Sequence, residues 1–375
     1  MSGGLLERAV SGVQGLRPYM PGKPVDELER ELGISNIIKL ASNENPLGPS
    51  PLAQAAAQAA LSELGRYPDG NGFALRQALA AHHALGAERI VLGNGSNDVL
   101  EMIARAFLGP GRNAVLSEYA FAVYPLASQA VGAELRIATA LPRNDEMPLG
   151  HDLAALLTLV DENTGVVFIA NPNNPTGTWL PPSAIDDFLT ALPSNVIVVL
   201  DEAYFEYMAP ELRPDSRGLL EKFANLIVTR TFSKVHGLAA LRIGYGLSSA
   251  VVIDLLNRVR QPFNTNTVAM AAALASLADQ DHVARSVETN AAGMRLYAEE
   301  LPRMGLNFLP SQGNFLAVDF QREAQPIFDA LLREGVILRP MGSYQLPTFL
   351  RITIGTEEEN QRCLSALRKL LDSDI

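Results

Sequence analysis

The stretch Asn225-Leu-Ile-Val-Thr-Arg-Thr-Phe-Ser-Lys234-Val-His-Gly-Leu238 decides how this chain is read. Leu226, Ile227 and Val228 form an apolar run with the look of a buried strand, which then delivers hydroxyls at Thr231 and Ser233 and finally one amine. Lysine normally lies on a solvated surface, and this chain holds only five lysines against twenty-five arginines. A loop lysine just past a strand is the plain reading of Lys234 taken alone. Lysine acts as a nucleophile only when neutral, so its reference pKa of about 10.4 must be lowered by desolvation or by neighbouring cations. A Schiff-base role meets that requirement.

Two upstream stretches share this design. Val166-Val-Phe-Ile-Ala-Asn171-Pro-Asn-Asn174-Pro-Thr-Gly177 is a short apolar run that breaks into a turn rich in Asn, Pro and Gly, which reads as strand followed by loop. Asn195-Val-Ile-Val-Val-Leu-Asp201-Glu-Ala-Tyr204 is apolar without alternation, as a strand covered on both faces is, and ends in a carboxylate. Open α/β sheets bind ligands at the carboxyl ends of parallel strands, so Asn174, Asp201, Tyr204 and Lys234 can converge on one crevice. Each also has an ordinary reading, as a turn former, a cap or a packed ring. Gly93-Asn-Gly95-Ser96-Asn97-Asp98 precedes Val99 to Phe107, where apolar residues recur at helical spacing. Its glycines can expose amides at a helix N-terminus, a ready anion site, or simply cap the helix.

Strands alternating with helices predict an α/β fold: a mostly parallel sheet sandwiched by helices, with a smaller α+β domain. Residues 1–40 read as an N-terminal arm, 41–262 as the large domain and 263–375 as the small domain. Ala53 to Leu64 is expected to be one helix, and Val268 to about Leu301 one long helical stretch. Segments 313–320, 335–340 and 349–354 read as strands, and Glu357 to Leu371 as a closing amphipathic helix.

With 375 residues, 47% of them hydrophobic, the chain can bury more than one core. A net charge of −11 disfavours a nucleic-acid partner. No apolar run is long enough for a bilayer and Met1 to Ala9 has no signal-peptide core, so a cytoplasmic protein is expected. The single Cys363 allows neither an intrachain disulfide nor a cysteine metal cluster, and the five histidines have no metal-site spacing. His82 and His83 read as a helix surface.

Asn174-Pro-Thr-Gly, Asp201-Glu-Ala-Tyr204, Ser233-Lys234 and Arg242, in that order and spacing, resemble fold type I pyridoxal 5'-phosphate enzymes of the aminotransferase kind. Leu16-Arg17-Pro-Tyr19, Leu40-Ala-Ser-Asn43-Glu-Asn-Pro46, Arg66-Tyr67-Pro-Asp69 and Arg230 to Arg242 narrow the likeness to the histidinol-phosphate aminotransferases. The resemblance implies that Lys234 holds the cofactor covalently and moves protons as general base and acid. It implies that Asp201 faces the pyridine nitrogen, that Tyr204 and Asn174 donate to the ring's phenolic oxygen, and that Phe121 stacks on the ring, with Tyr119 and Tyr124 as rival stackers. Gly95, Ser96, Asn97, Thr231, Ser233 and Arg242 would cradle the phosphate. Arg351 would grip the substrate's anionic group, with Arg17, Tyr19, Asn43 and Arg339 as lesser candidates for the substrate pocket. The family pattern further implies a homodimer in which Tyr67 reaches the partner's cofactor phosphate. An amino donor and a 2-oxo acid acceptor, L-histidinol phosphate and 2-oxoglutarate, are the substrates implied. The chain departs from the pattern at Ser117-Glu-Tyr-Ala-Phe121 and Gly95-Ser-Asn97-Asp98, which keeps an aromatic amino acid aminotransferase open. A threonine-phosphate decarboxylase and a non-catalytic protein on the same fold are the further alternatives.

Overall fold

The computed structural model describes residues 3–18 and 22–372. Its strands are β1 (Ile38–Lys39), β2 (Ile90–Gly93), β3 (Asn113–Ser117), β4 (Glu134–Ala138), β5 (Thr164–Ala170), β6 (Ile197–Asp201), β7 (Leu226–Thr231), β8 (Gly244–Leu247), β9 (Asn307–Phe308), β10 (Phe315–Asp319), β11 (Val336–Ile337), β12 (Arg339–Pro340) and β13 (Phe349–Thr353). Seven of them form the main sheet in the order β2-β8-β7-β6-β5-β3-β4. All its pairings are parallel except those of β8, which runs antiparallel to both neighbours.

Every residue of β5, β6 and β7 is buried, and the pleat shares them between two cores. Val167, Ile169, Val198, Leu200, Leu226 and Val228 face a layer that includes Ala53, Leu79, Ile185 and Phe188. Val166, Phe168, Ile197, Val199 and Ile227 face the other, with Val99, Ile103, Tyr124 and Ile253. The absence of alternation in these strands is thus the signature of a sheet covered on both sides, as read from the sequence.

A smaller lobe carries the antiparallel sheet β12-β13-β10-β9. Helices Gln280–Arg303, Gln325–Arg333 and Glu357–Leu371 belong to its core, through Tyr297, Leu331, Cys363 and Leu367. The arm joins this lobe where β1 pairs with β11, Ile38 opposite Val336. The closing helix begins with a capping box in which Thr356 and Glu359 satisfy each other's backbone N–H, worth about 1 kcal/mol.

Four details differ from the expectation. The stretch 268–301 is two helices, Thr267–Ala278 and Gln280–Arg303, separated at Asp279, whose carboxylate accepts from His282 N at 3.1 Å and so restarts the helix. Ala269, Ala272 and Ala273 of the first of these pack into the large lobe's core, so packing does not change over at residue 262. The helix expected over 53–64 runs Pro51–Ala60 and tightens into a 3-10 turn at Leu61–Glu63. His82 is a surface residue as expected, but His83 is half-buried with Nε2 2.9 Å from the Tyr245 hydroxyl, and burial pushes its pKa down to about 3.

Candidate active site

A cavity of about 200 Å³ opens at the carboxyl edge of β5, β6 and β7, walled on its other side by β12, β13 and the segment after β1. Lys234 leaves the loop after β7 and reaches it half-buried. The Ser42 carbonyl accepts from its Nζ at 3.3 Å, and the Tyr204 ring lies 5.5 Å away. Desolvation first, then the guanidinium groups of Arg351 and Arg242, lower the ammonium pKa to about 8. A sizeable neutral fraction at mildly alkaline pH follows, which a nucleophilic amine requires.

Asp201 closes β6 and is 4% exposed. The Tyr124 hydroxyl donates to its Oδ2 at 2.7 Å, while Oδ1 lies buried without a partner. Desolvation raises its pKa despite the Tyr124 hydrogen bond. A carboxylate fixed by one oxygen and open at the other suits a protonated ring nitrogen brought into the cavity. Tyr124 is held in turn by its ring, stacked on Phe168 at 4.9 Å. Committed in this way, it is not the face-on aromatic of the cavity. Tyr119 packs with the Leu149 cluster, and Phe121 stands on the cavity wall, edge-to-face with Tyr124.

Thr231, Ser233 and Arg242 line the cavity beside Ser96 and Asn97, the first residues of helix Ser96–Phe107. Arg242 Nη1 lies 3.4 Å from Ser233 Oγ and donates to the Ala239 carbonyl at 3.0 Å. Gly95 is required here: its φ is +79°, and a Cβ would stand 2.6 Å from Arg242 Nη2. The guanidinium therefore lies directly against the turn, giving one cradle of hydroxyls, helix N-terminal amides and a cation that fits a phosphate.

On the opposite wall, Arg339 and Arg351 are direct cross-strand partners in the β12–β13 ladder, so their side chains leave the same face. Arg351 donates from Nη1 to Asn174 Oδ1 at 2.6 Å and from Nη2 to the Ala41 carbonyl at 2.9 Å. Asn174 is thereby held with its other amide atom available to the cavity that it lines. Tyr204, 3% exposed, accepts from Asn43 Nδ2 at 2.9 Å, and burial pushes its pKa up to about 12, so it stays a donor.

Most residues singled out in the sequence thus meet in one cavity. Arg17 is exposed and does not line it, Tyr19 lies outside the described residues, and Tyr67 is 83% exposed, stacked on Phe263 at 4.8 Å. The sequence reading missed the Asp201-holding role of Tyr124 and the cavity residue Tyr344 altogether; no local signal marks either. Among the described residues no cluster suits a metal ion, and no helix is long and apolar enough to cross a membrane.

The model of the family "Aminotransferase class I and II" matches residues 35–367. A histidinol-phosphate aminotransferase 2 of Pseudomonas fluorescens is 56% identical over 373 residues, covering 99% of each chain, and one of Pseudomonas aeruginosa is 56% identical over 371 residues, covering 98% of this chain and 99% of the other. The crystal structure of histidinol-phosphate aminotransferase from Sinorhizobium meliloti in complex with pyridoxal-5'-phosphate superposes with a TM-score of 0.90 at 31% identity, covering 98% of both chains.

Proposed function

The chain belongs to the class I and II aminotransferases, and from that premise we propose that it uses pyridoxal 5'-phosphate to move an amino group between L-histidinol phosphate and 2-oxoglutarate, a step of histidine biosynthesis. One observation carries the chemistry: an amine with its pKa lowered to about 8 shares a cavity with a buried carboxylate whose Oδ1 has no partner. The donor set fits the cofactor. Lys234 would hold it covalently, Asp201 would face its ring nitrogen, Asn174 and Tyr204 its phenolic oxygen, and the cradle of Gly95, Ser96, Asn97, Thr231, Ser233 and Arg242 its phosphate, with Phe121 against the ring. When bound, the cofactor supplies an electron sink for the charge left when a proton departs the substrate α-carbon.

The chain's own groups do the rest. At Nζ, Lys234 would be the general base that takes the α-proton and the general acid that gives it up on the cofactor's reacting carbon. Asp201 keeps the ring nitrogen protonated, and Tyr124 keeps Asp201 aimed. Arg351 and Arg339 bind the phosphate of one substrate and a carboxylate of the other through the planar guanidinium fork. The working unit we propose is a homodimer, with Tyr67 reaching the partner's site. Its 83% exposure, beside exposed Leu64 and Phe73, supports that reading. A monomer that is fully active at assay concentration would contradict it.

The test of the substrate is a set of half-reactions, in which the holoenzyme is mixed with single amino donors and its cofactor absorbance followed. Histidinol phosphate should show the largest specificity constant. Larger values for phenylalanine or tyrosine would make the enzyme an aromatic aminotransferase, and release of carbon dioxide on mixing would make it a decarboxylase.

A further inference from the structure

Asn43 lines the cavity, and its amide is held between Thr353 and Tyr204. It is 1% exposed, with φ at +54°, a left-handed conformation that asparagine tolerates better than most residues. Its backbone N–H donates to Thr353 Oγ1 at 2.9 Å, the Thr353 hydroxyl donates to its Oδ1 at 3.1 Å, and its carbonyl accepts from Asn314 Nδ2 at 3.1 Å. Nδ2 then donates to the Tyr204 hydroxyl oxygen at 2.9 Å.

Counting hydrogens fixes the direction of this chain. Thr353 is 3% exposed and its hydroxyl has one proton. With the amide turned over, Oγ1 would accept twice and its own proton would lie buried with no acceptor, a costly arrangement. The amide therefore presents Nδ2 to Tyr204. A phenol that accepts from Asn43 keeps its single proton to give away, and the space left for it is the cavity; Lys234, Arg351, Asp201, Tyr344, Tyr124 and Tyr207 are the charged and titratable groups around the ring.

We infer that Thr353 and Asn43 are positioning residues that aim the Tyr204 proton at the phenolic oxygen of the bound cofactor, an inference that rests on the cofactor reading above. Thr353 and Arg351 stand two positions apart on β13 and so share a face. One strand of the small lobe thus orients both donors, Asn174 through Arg351 and Tyr204 through Thr353 and Asn43.

The experiment titrates the absorbance of the Lys234-bound cofactor with pH in purified holoenzymes. Asn43→Gly deletes the amide yet keeps the left-handed backbone, and Thr353→Val deletes one hydroxyl at constant shape. Each should raise the chromophore's apparent pKa by about 0.5 to 1 unit, a threefold to tenfold change in acid constant, as expected for one weakened hydrogen bond. Thr353→Ser should restore the wild-type value. In a Tyr204→Phe background, itself raised at least as far, Thr353→Val should add nothing further. An unchanged pKa in Asn43→Gly and Thr353→Val, failure of Thr353→Ser to restore it, or an equal Thr353→Val shift without the Tyr204 hydroxyl would overturn the proposal. A wild-type protein that shows no titrating cofactor band would instead overturn the cofactor reading, and this proposal with it.

Discussion

Asp201 and Glu202 are consecutive buried carboxylates at the end of β6, and their surroundings could hardly differ more. Glu202 Oε2 receives Arg230 Nη2 at 2.6 Å and Nε at 2.8 Å, and its Oε1 receives the Ser216 hydroxyl at 2.7 Å. Arg230 also pairs with Glu206 at 3.4 Å and lies 3.5 Å over the Phe205 ring. Asp201 holds the Tyr124 hydroxyl on Oδ2, with the Thr229 hydroxyl and the Ala203 N–H close by, and its Oδ1 makes no hydrogen bond. Successive residues leave a strand on opposite faces, so the chain places a closed ionic network on one side and an open valence on the other. The closed network is scaffold, because a buried charge is tolerated only when paired and hydrogen-bonded. The open carboxylate marks the site, because a desolvated acceptor left unmade is stabilised only when a ligand supplies the donor.

The comparison breaks hardest at the cavity's nucleophile. Lys234→Ala should lower transamination by roughly 10⁴-fold or more, since it removes both the covalent hold and the proton carrier, while thermal unfolding of the cofactor-free protein stays close to wild type. Borohydride reduction followed by peptide mapping should put the pyridoxyl label on Lys234, and a label on any other lysine would refute the assignment. In the closed network the damage should be to stability. Arg230→Met strands Glu202 and Glu206 without their cation and should cost about 3–5 kcal/mol in denaturant unfolding.

At the open carboxylate the pattern inverts. Asp201→Asn should lower kcat by about 10²–10³ and leave unfolding unchanged or slightly more stable, because a desolvated charge is removed. An equal loss of stability in Asp201→Asn and Arg230→Met would erase the distinction drawn between them. The smallest effect belongs to Tyr124→Phe. Its hydroxyl lowers the pKa of Asp201 against desolvation, so its removal should raise that pKa further. In the cofactor-free protein the stability tied to protonated Asp201 is present below the carboxyl's unfolded pKa and lost as pH rises through the raised folded value, so the loss should shift to higher pH. The turnover profile should move its acidic limb upward.

Lys234 titrates in the other direction. Its folded pKa lies near 8, below the ordinary 10.5, so the unfolded chain binds more protons between those values and stability should rise with pH across that window. Capture of free pyridoxal 5'-phosphate by the cofactor-free protein should likewise accelerate through pH 8, and a midpoint near 10 in stopped-flow absorbance would show that the cavity does not depress the amine.

What the sequence determined by itself is everything carried by a strand and the few residues after it. Continuous apolar runs dictate strands covered on both faces, parallel order brings their carboxyl ends to one edge, and Asn174, Asp201, Tyr204 and Lys234 follow those ends by fixed short offsets. Asp279 shows where this local logic runs out: neither Gly nor Pro marks the break, and only a side-chain cap separates two helices. The Ala-rich helix Thr267–Ala278 is apolar nearly all round, so its composition did not say which lobe would take it.

Tertiary structure alone decided which way the polar atoms point. Asn43 meets Tyr204 across 161 residues and Thr353 across 310, and Arg339 faces Arg351 only through the register of β12 against β13. Tyr124 was legible as an aromatic near the ring, but its hydroxyl had to be seen on Asp201. The reason is physical: backbone conformation follows neighbours in the chain, whereas a hydrogen bond is set within a few tenths of an ångström and a definite direction by elements that meet only once the whole chain has packed.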